Sequence, residues 1–139
     1  MDYKIRAARK EDCKDIARMI MELAVFEKMP DQVKISYKEL ERDGFCQNPF
    51  FECLIAEVSD AHRSKCGNGI GKSLMSKVAK IAAEKQCVRL QLSVLDWNSP
   101  ARDFYAAKGA QDLTDSEGWH FIRFDGLSLD NLVKEAPQD

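Results

Sequence analysis

Apolar and polar positions change period several times along this chain, and each change predicts an element. Tyr3 to Ala7 (YKIRA) alternates as a short strand does. Asp12 is then placed to cap a helix whose apolar stripe is Ile16, Met19, Ile20, Leu23 and Ala24. Pro30 lies beyond its end. Ser36 to Glu39 has the spacing of a capping box, and Gly44 is placed to stop the short helix that it opens. Phe50 to Val58 (FFECLIAEV) predicts a strand, and a polar stretch, Ser59 to Lys65, follows it. Leu74, Val78, Ile81 and Ala82 recur at helical spacing over 73–86. Val88 to Leu95 (VRLQLSVL) alternates cleanly and predicts a strand. Ser99 and Pro100 supply an N-cap and a proline at the first helical position, and Gly109 stops that helix after Lys108. Trp119 to Phe124 reads as a strand and Leu127 to Lys134 as a terminal helix.

The order is mixed α/β, without an internal repeat, a low-complexity tract or a linker. At 139 residues and 45% hydrophobic content, the chain suits one domain with a sizeable core. A net charge of −2 offers no basic field for nucleic acid. No apolar run reaches the length of a membrane span, and the N-terminus lacks the apolar centre of a signal peptide. The five cysteines, at 13, 46, 53, 66 and 87, have neither metal-ligand spacing nor a disulfide framework. Reduced thiols in the cytoplasm, several of them buried, are expected. His62 and His120 stand far apart, so no metal site is expected.

The candidate chemistry begins at Cys66-Gly67-Asn68-Gly69-Ile70-Gly71-Lys72. Glycines at alternate positions clear side chains from a loop that opens into a helix. Its N–H groups and the positive helix end can then hold an anion such as a phosphate or pyrophosphate. A turn that merely lets the chain pass close to its neighbours is the other reading. A Walker loop matches at Gly71-Lys72-Ser73, but its opening glycine falls on Cys66 and no apolar strand precedes it. The Rossmann pattern fails where its third glycine falls on Lys72.

Several stretches together carry a family resemblance. GNGIGKSLMSKVAKIAAEKQC and DWNSPARDFYAAKGAQDLTDSEGWHFIRF resemble the GCN5-related N-acetyltransferases, and within them the diamine (spermidine/spermine) acetyltransferases. IRAARKEDCKDIARMIMELAVFEK, DQVKIS and DGFCQNPFFECLIAEV extend the likeness over nearly the whole chain, which is most similar to the thialysine-acetylating members.

The resemblance implies a mixed sheet flanked by helices and acetyl transfer from acetyl-CoA to a primary amine of a small diamine, polyamine or thialysine-like amino acid. It implies that Gly67, Asn68, Gly69, Ile70, Gly71 and Lys72 hold the cofactor's pyrophosphate, and that Asn98, Ser99, Pro100 and Ala101 line its pantetheine and adenosine side. Tyr105 falls at the position of the general acid that protonates the departing thiolate. A phenol, with an ordinary pKa of about 10, carries its proton at neutral pH and can give it to a thiolate. Phe26, Glu27 and Glu117 match positions that contact the amine, and Trp119 could wall the substrate channel. Homodimerisation is implied as well. Two departures stand out. Cys66 occupies a position where the family's loop begins with arginine, which weakens the hold on pyrophosphate. Between residues 58 and 66 the family carries a further hairpin whose second strand is central to the sheet, so 1–139 reads as a single domain shortened internally. Loss of that strand would strip hydrogen-bond partners from its neighbours and expose apolar faces. A second reading follows from the shortening: a catalytically impaired form that associates with a full-length subunit.

Overall fold

A computed structural model describes residues 3–60 and 69–138. The chain divides into two compact units, Met1–Ser93 and Val94–Asp139.

In the first unit, β1 (Tyr3–Ala7) pairs antiparallel with β2 (Leu54–Val58), Tyr3 opposite Val58 and Ala7 opposite Leu54. The Ala8 N–H donates to the Cys53 carbonyl at 2.8 Å and extends the ladder by one bond. A 3-10 turn, Lys10–Asp12, then leads into α1 (Cys13–Phe26). The Asp12 side chain does not cap α1, contrary to the expectation from its position. Its carboxylate takes the Arg9 N–H at 2.7 Å and two bonds from the Arg6 guanidinium, at 2.7 and 2.9 Å, so it closes the turn against β1 instead. Arg6 also binds Glu57 on β2 at 2.9 Å. These bonds, the guanidinium first and the Arg9 N–H second, hold the Asp12 carboxyl well below the usual carboxylate range.

A second 3-10 turn, Pro30–Gln32, precedes α2 (Tyr37–Gly44), which has the expected capping box. The Glu39 N–H donates to Ser36 Oγ at 3.3 Å, and the Ser36 N–H donates to Glu39 Oε2 at 2.6 Å. The α1 stripe meets α2 in a small core of Cys13, Ile16 and Leu40, with Ile20, Ile35, Tyr37, Phe45, Phe51, Cys53 and Ile55 packed around it. Burial pushes the Cys13 and Cys53 thiols upward in pKa, whereas Cys46 and Cys87 are exposed. Helix α3 (Ile70–Glu84) packs on β2. Tyr3 Oη and Ser73 Oγ share a hydrogen bond that ties its first turn to β1, and Lys85 binds Glu52 at 2.7 Å beyond its end.

The second unit contains α4 (Ser99–Ala107), α5 (Leu113–Glu117) and α6 (Gly126–Lys134). The pattern of apolar positions did not predict α5. Asp112 makes it possible by accepting the Thr114 N–H at 3.0 Å, and Gly118 ends it at φ +76°, a left-handed conformation that favours glycine. Arg102 gathers the unit, donating to the Asp96 carbonyl at 3.0 Å and lying near the carboxylates of Asp112 and Asp115.

Two expected strands do not form. Residues 88–95 and 119–124 are not strands of the sheet, which among the described residues consists of β1 and β2. Alternation prepares a face, but a strand exists only when another backbone supplies its ladder. The apolar positions of both stretches, Leu95 apart, are accordingly exposed, and the buried set among the described residues is small: Cys13, Ile16 and Leu40.

Candidate active site

The glycine-rich turn is the first component of the site. Cys66, Gly67 and Asn68 lie outside the described residues. The rest of the turn is the start of α3. Gly69 is its N-cap, at φ +84°, and its carbonyl accepts the Ser73 N–H at 2.9 Å. The N–H groups of Ile70, Gly71 and Lys72 therefore precede the helix's own acceptors. Gly69 has no side chain to cap them. A Cβ at Gly69 or Gly71 would meet nothing within 4 Å, so the approach to these amides is open. Donors aligned with the positive end of a helix, under an open approach, suit a phosphate oxygen. The residues present thus fit the pyrophosphate of acetyl-CoA. The Tyr3–Ser73 hydrogen bond, which the sequence pattern did not suggest, fixes this helix end to β1.

Phe26 is the last residue of α1 and Glu27 its C-cap, with the Glu27 N–H donating to the Leu23 carbonyl at 2.9 Å. Lys28 follows at φ +59°. The exposed Phe26 ring and the half-buried Glu27 thus stand at the helix exit, in the same unit as the α3 turn.

In the second unit α4 carries the other cofactor candidates and Tyr105. Asn98, not Ser99, is the N-cap: its Oδ1 accepts the Ala101 N–H at 3.3 Å. The expectation of a serine cap is corrected by one position. A carboxamide reaches the N3 amide as well as a hydroxyl does, and Pro100 is compatible with the first turn at either of its first two positions. Ala101 and Tyr105 are one helical turn apart, on one half-buried face. Phe104 meets the Tyr105 ring edge-on, with centroids 5.5 Å apart. No hydrogen bond holds the Tyr105 hydroxyl among the described residues, so it is available as a donor.

Glu117 closes α5, and its Oε2 accepts the Trp119 indole N–H at 2.7 Å. The two residues that the sequence offered separately for the amine thus form one exposed unit, an aromatic ring tethered to a carboxylate. The signal was their spacing of two residues across Gly118. An ammonium can meet both, by charge pairing and by contact with the ring. Among the described residues no group of three or more His, Cys, Asp or Glu side chains is arranged to hold a metal ion.

Comparison with known proteins gives these features a family. Residues 57–110 match the model of the Acetyltransferase (GNAT) family. The thialysine N-epsilon-acetyltransferase of Bos taurus is 41% identical over 163 residues, covering 93% of this chain and 96% of that protein. The protein of the same name in Mus musculus is 41% identical over 164 residues, covering 94% and 96%. The human spermidine/spermine N(1)-acetyltransferase-like protein 1 is 34% identical over 169 residues, which is 97% of this chain and 24% of that longer protein. Among solved structures, an integron cassette protein from the mobile metagenome of V. cholerae shares the fold, with a TM-score of 0.67 at 24% identity over 97% of this chain and 99% of that one. The alignment to the bovine relative spans 163 positions against 139 residues here, so part of the relative has no counterpart in this chain. The fold is α/β, and the chain belongs to the GNAT family of acetyltransferases, within its diamine acetyltransferase branch.

Proposed function

We propose that this chain transfers an acetyl group from acetyl-CoA to a primary amine of a small diamine, a polyamine or a thialysine-like amino acid. The observation that carries this reading is 41% identity, across almost the full length of both chains, to proteins named thialysine N-epsilon-acetyltransferases. The Gly67–Lys72 turn would hold the pyrophosphate, and Asn98, Ser99, Pro100 and Ala101 the pantetheine and adenosine side. Phe26, Glu27, Glu117 and Trp119 would receive the amine. Acetyl-CoA supplies an activated thioester. The deprotonated amine attacks its carbonyl carbon, the C–S bond breaks, and the Tyr105 hydroxyl gives its proton to the sulfur as the thiolate leaves. The amine's surplus proton passes to solvent, and solvent returns a proton to the Tyr105 phenolate. In this reading 1–139 is one cytoplasmic acetyltransferase domain, shortened between residues 58 and 66, and it functions as a homodimer. Among the described residues no helix is long and apolar enough to cross a membrane.

Acetyl transfer to thialysine and to spermidine, followed as release of free coenzyme A thiol, tests the proposal. Turnover is expected, with Tyr105→Phe lowering kcat by about 10²–10⁴-fold, the usual worth of a positioned acid. Turnover unaffected by Tyr105→Phe would remove that residue from the chemistry. A second reading, a catalytically impaired form that pairs with a full-length subunit, is supported by the exposed apolar side chains of 88–94 and 119–124. It predicts co-purification with such a subunit and no turnover by the isolated chain.

A further inference from the structure

The pair Glu117 and Trp119 depends on a helix that cannot hold itself. Helix α5 has 5 residues, too few to persist alone, and none of them is buried. Apolar packing therefore does little to fix it, and the task falls to polar groups. Asp112, at its start, serves two ways. Its Oδ1 accepts the N–H groups of Thr114 and Asp115 at 3.0 and 3.4 Å, and its Oδ2 lies 3.5 Å from Nη2 of Arg102 on α4. Asp115 Oδ2 lies 3.9 Å from the same nitrogen. The other arm of that guanidinium, Nη1, donates to the Asp96 carbonyl at 3.0 Å. One half-buried, planar fork thus joins the loop before α4 to the start of α5. The turn between the helices closes on the same place. The N–H groups of Lys108 and Ala110 both donate to the Tyr105 carbonyl, at 3.0 and 3.1 Å. Tyr105 and the Glu117–Trp119 pair are carried on one frame, and Arg102 is its cross-brace. A single exposed ion pair contributes little, but here one cation serves three groups that a lysine has no fork to span.

We infer that Arg102 is a positioning residue: by bridging the Asp96 carbonyl to the Asp112 and Asp115 carboxylates, it holds α5, and with it the Glu117–Trp119 pair, in register with Tyr105. It acts through α5 rather than on the amine. The inference rests on the proposed activity for the role of the pair, and on the geometry of the second unit for the bridge.

The test compares three variants of the full chain with the wild type. Arg102→Met keeps the aliphatic stem, Asp112→Asn with Asp115→Asn leaves residue 112 a capping oxygen, and the third variant combines all these changes. The amine KM should rise about tenfold in each while kcat moves less, within the roughly 10²-fold that a displacement of about 1 Å can cost. The combined variant should show no further rise, because the same bridge is already broken. In the carboxylate variant, acetyl-CoA affinity by calorimetry should stay at the wild-type value, since the bond to Asp96 beside Asn98 is kept. Amide hydrogen exchange over 113–118 should quicken in all three, with α1 unchanged. An unchanged amine KM, rises that add, or an equal loss of acetyl-CoA affinity in the carboxylate variant would overturn the inference. If Arg102→Met does not fold, the carboxylate variant decides by the same split between amine and acetyl-CoA. A wild-type chain without turnover would remove the proposed activity instead, and exchange then decides the bridge. Faster exchange over 113–118 alone upholds it, and unchanged exchange there overturns it.

Discussion

At the scale of single residues, Asp12 does the most with the fewest atoms. Its carboxylate joins a strand, a turn and the first helix through Arg6 and the Arg9 N–H. The group titrates lower in the folded chain than in the unfolded one, so its contribution to stability is complete above its unfolded pKa of about 4 and is lost as pH falls below that. Glu57, lowered by its hydrogen bond from Arg6, adds to the same trend. Denaturant titrations should therefore show stability dropping below about pH 4, and Asp12→Asn should flatten that drop while lowering stability at neutral pH. An unchanged acid slope in the variant would show that other carboxylates set it. Gly44 offers a steric counterpart. A Cβ there would lie 2.3 Å from the Phe51 ring, which packs edge-on against Phe45 with centroids 6.5 Å apart. Gly44→Ala must push that ring aside, and a loss of about 1–3 kcal/mol in urea unfolding is expected. Pairing the change with Phe51→Leu should recover part of it.

At the scale of elements, the N-terminus of α4 combines a structural and a binding task in Asn98. Its side-chain oxygen caps the helix, and the proposed cofactor contact falls on the same residue. Two variants separate the tasks. Asn98→Ala should cost about 1 kcal/mol of stability, the ordinary worth of a cap. Asn98→Asp keeps a capping oxygen but exchanges the NH2 donor for negative charge, so it should hold stability and weaken acetyl-CoA binding in calorimetry. Equal binding by the aspartate variant would leave Asn98 with the cap alone. The elements also show what the sequence could disclose. The Ser36–Glu39 box, the Tyr3–Ala7 strand and the helix opening at the glycine turn were legible because local chemistry decides them. Residues 88–95 and 119–124 have as good a strand pattern, yet a ladder depends on a distant backbone that alternation cannot supply. The same division runs through the site. The glycine turn and Tyr105 are candidates that the sequence and its family resemblance offer, whereas the Tyr3–Ser73 tie and the Trp119–Glu117 bond depend on the fold.

At the scale of the whole molecule, the stretches outside the two-stranded sheet leave many large apolar side chains exposed among the described residues. Phe121, Ile122, Trp119 and Val88 are mostly exposed, and the core of the first unit rests, among the described residues, on three buried side chains. The denaturant slope m follows the surface newly exposed on unfolding. It should therefore fall below the value usual for a chain of 139 residues, and the chain should bind a hydrophobic dye under native conditions. A ligand held only by the folded state counteracts this, since saturation at about 100 times Kd adds about 2.7 kcal/mol. Acetyl-CoA should accordingly raise Tm, and free coenzyme A, which has the same pyrophosphate, should do so too. Dephosphorylated pantetheine should not, because the amides at the start of α3 then have no anion to hold. A Tm raised equally by all three would place the affinity in the pantetheine arm and away from the glycine turn. A shift confined to the two pyrophosphate-bearing ligands, lost in Gly71→Asp, would place it on the turn.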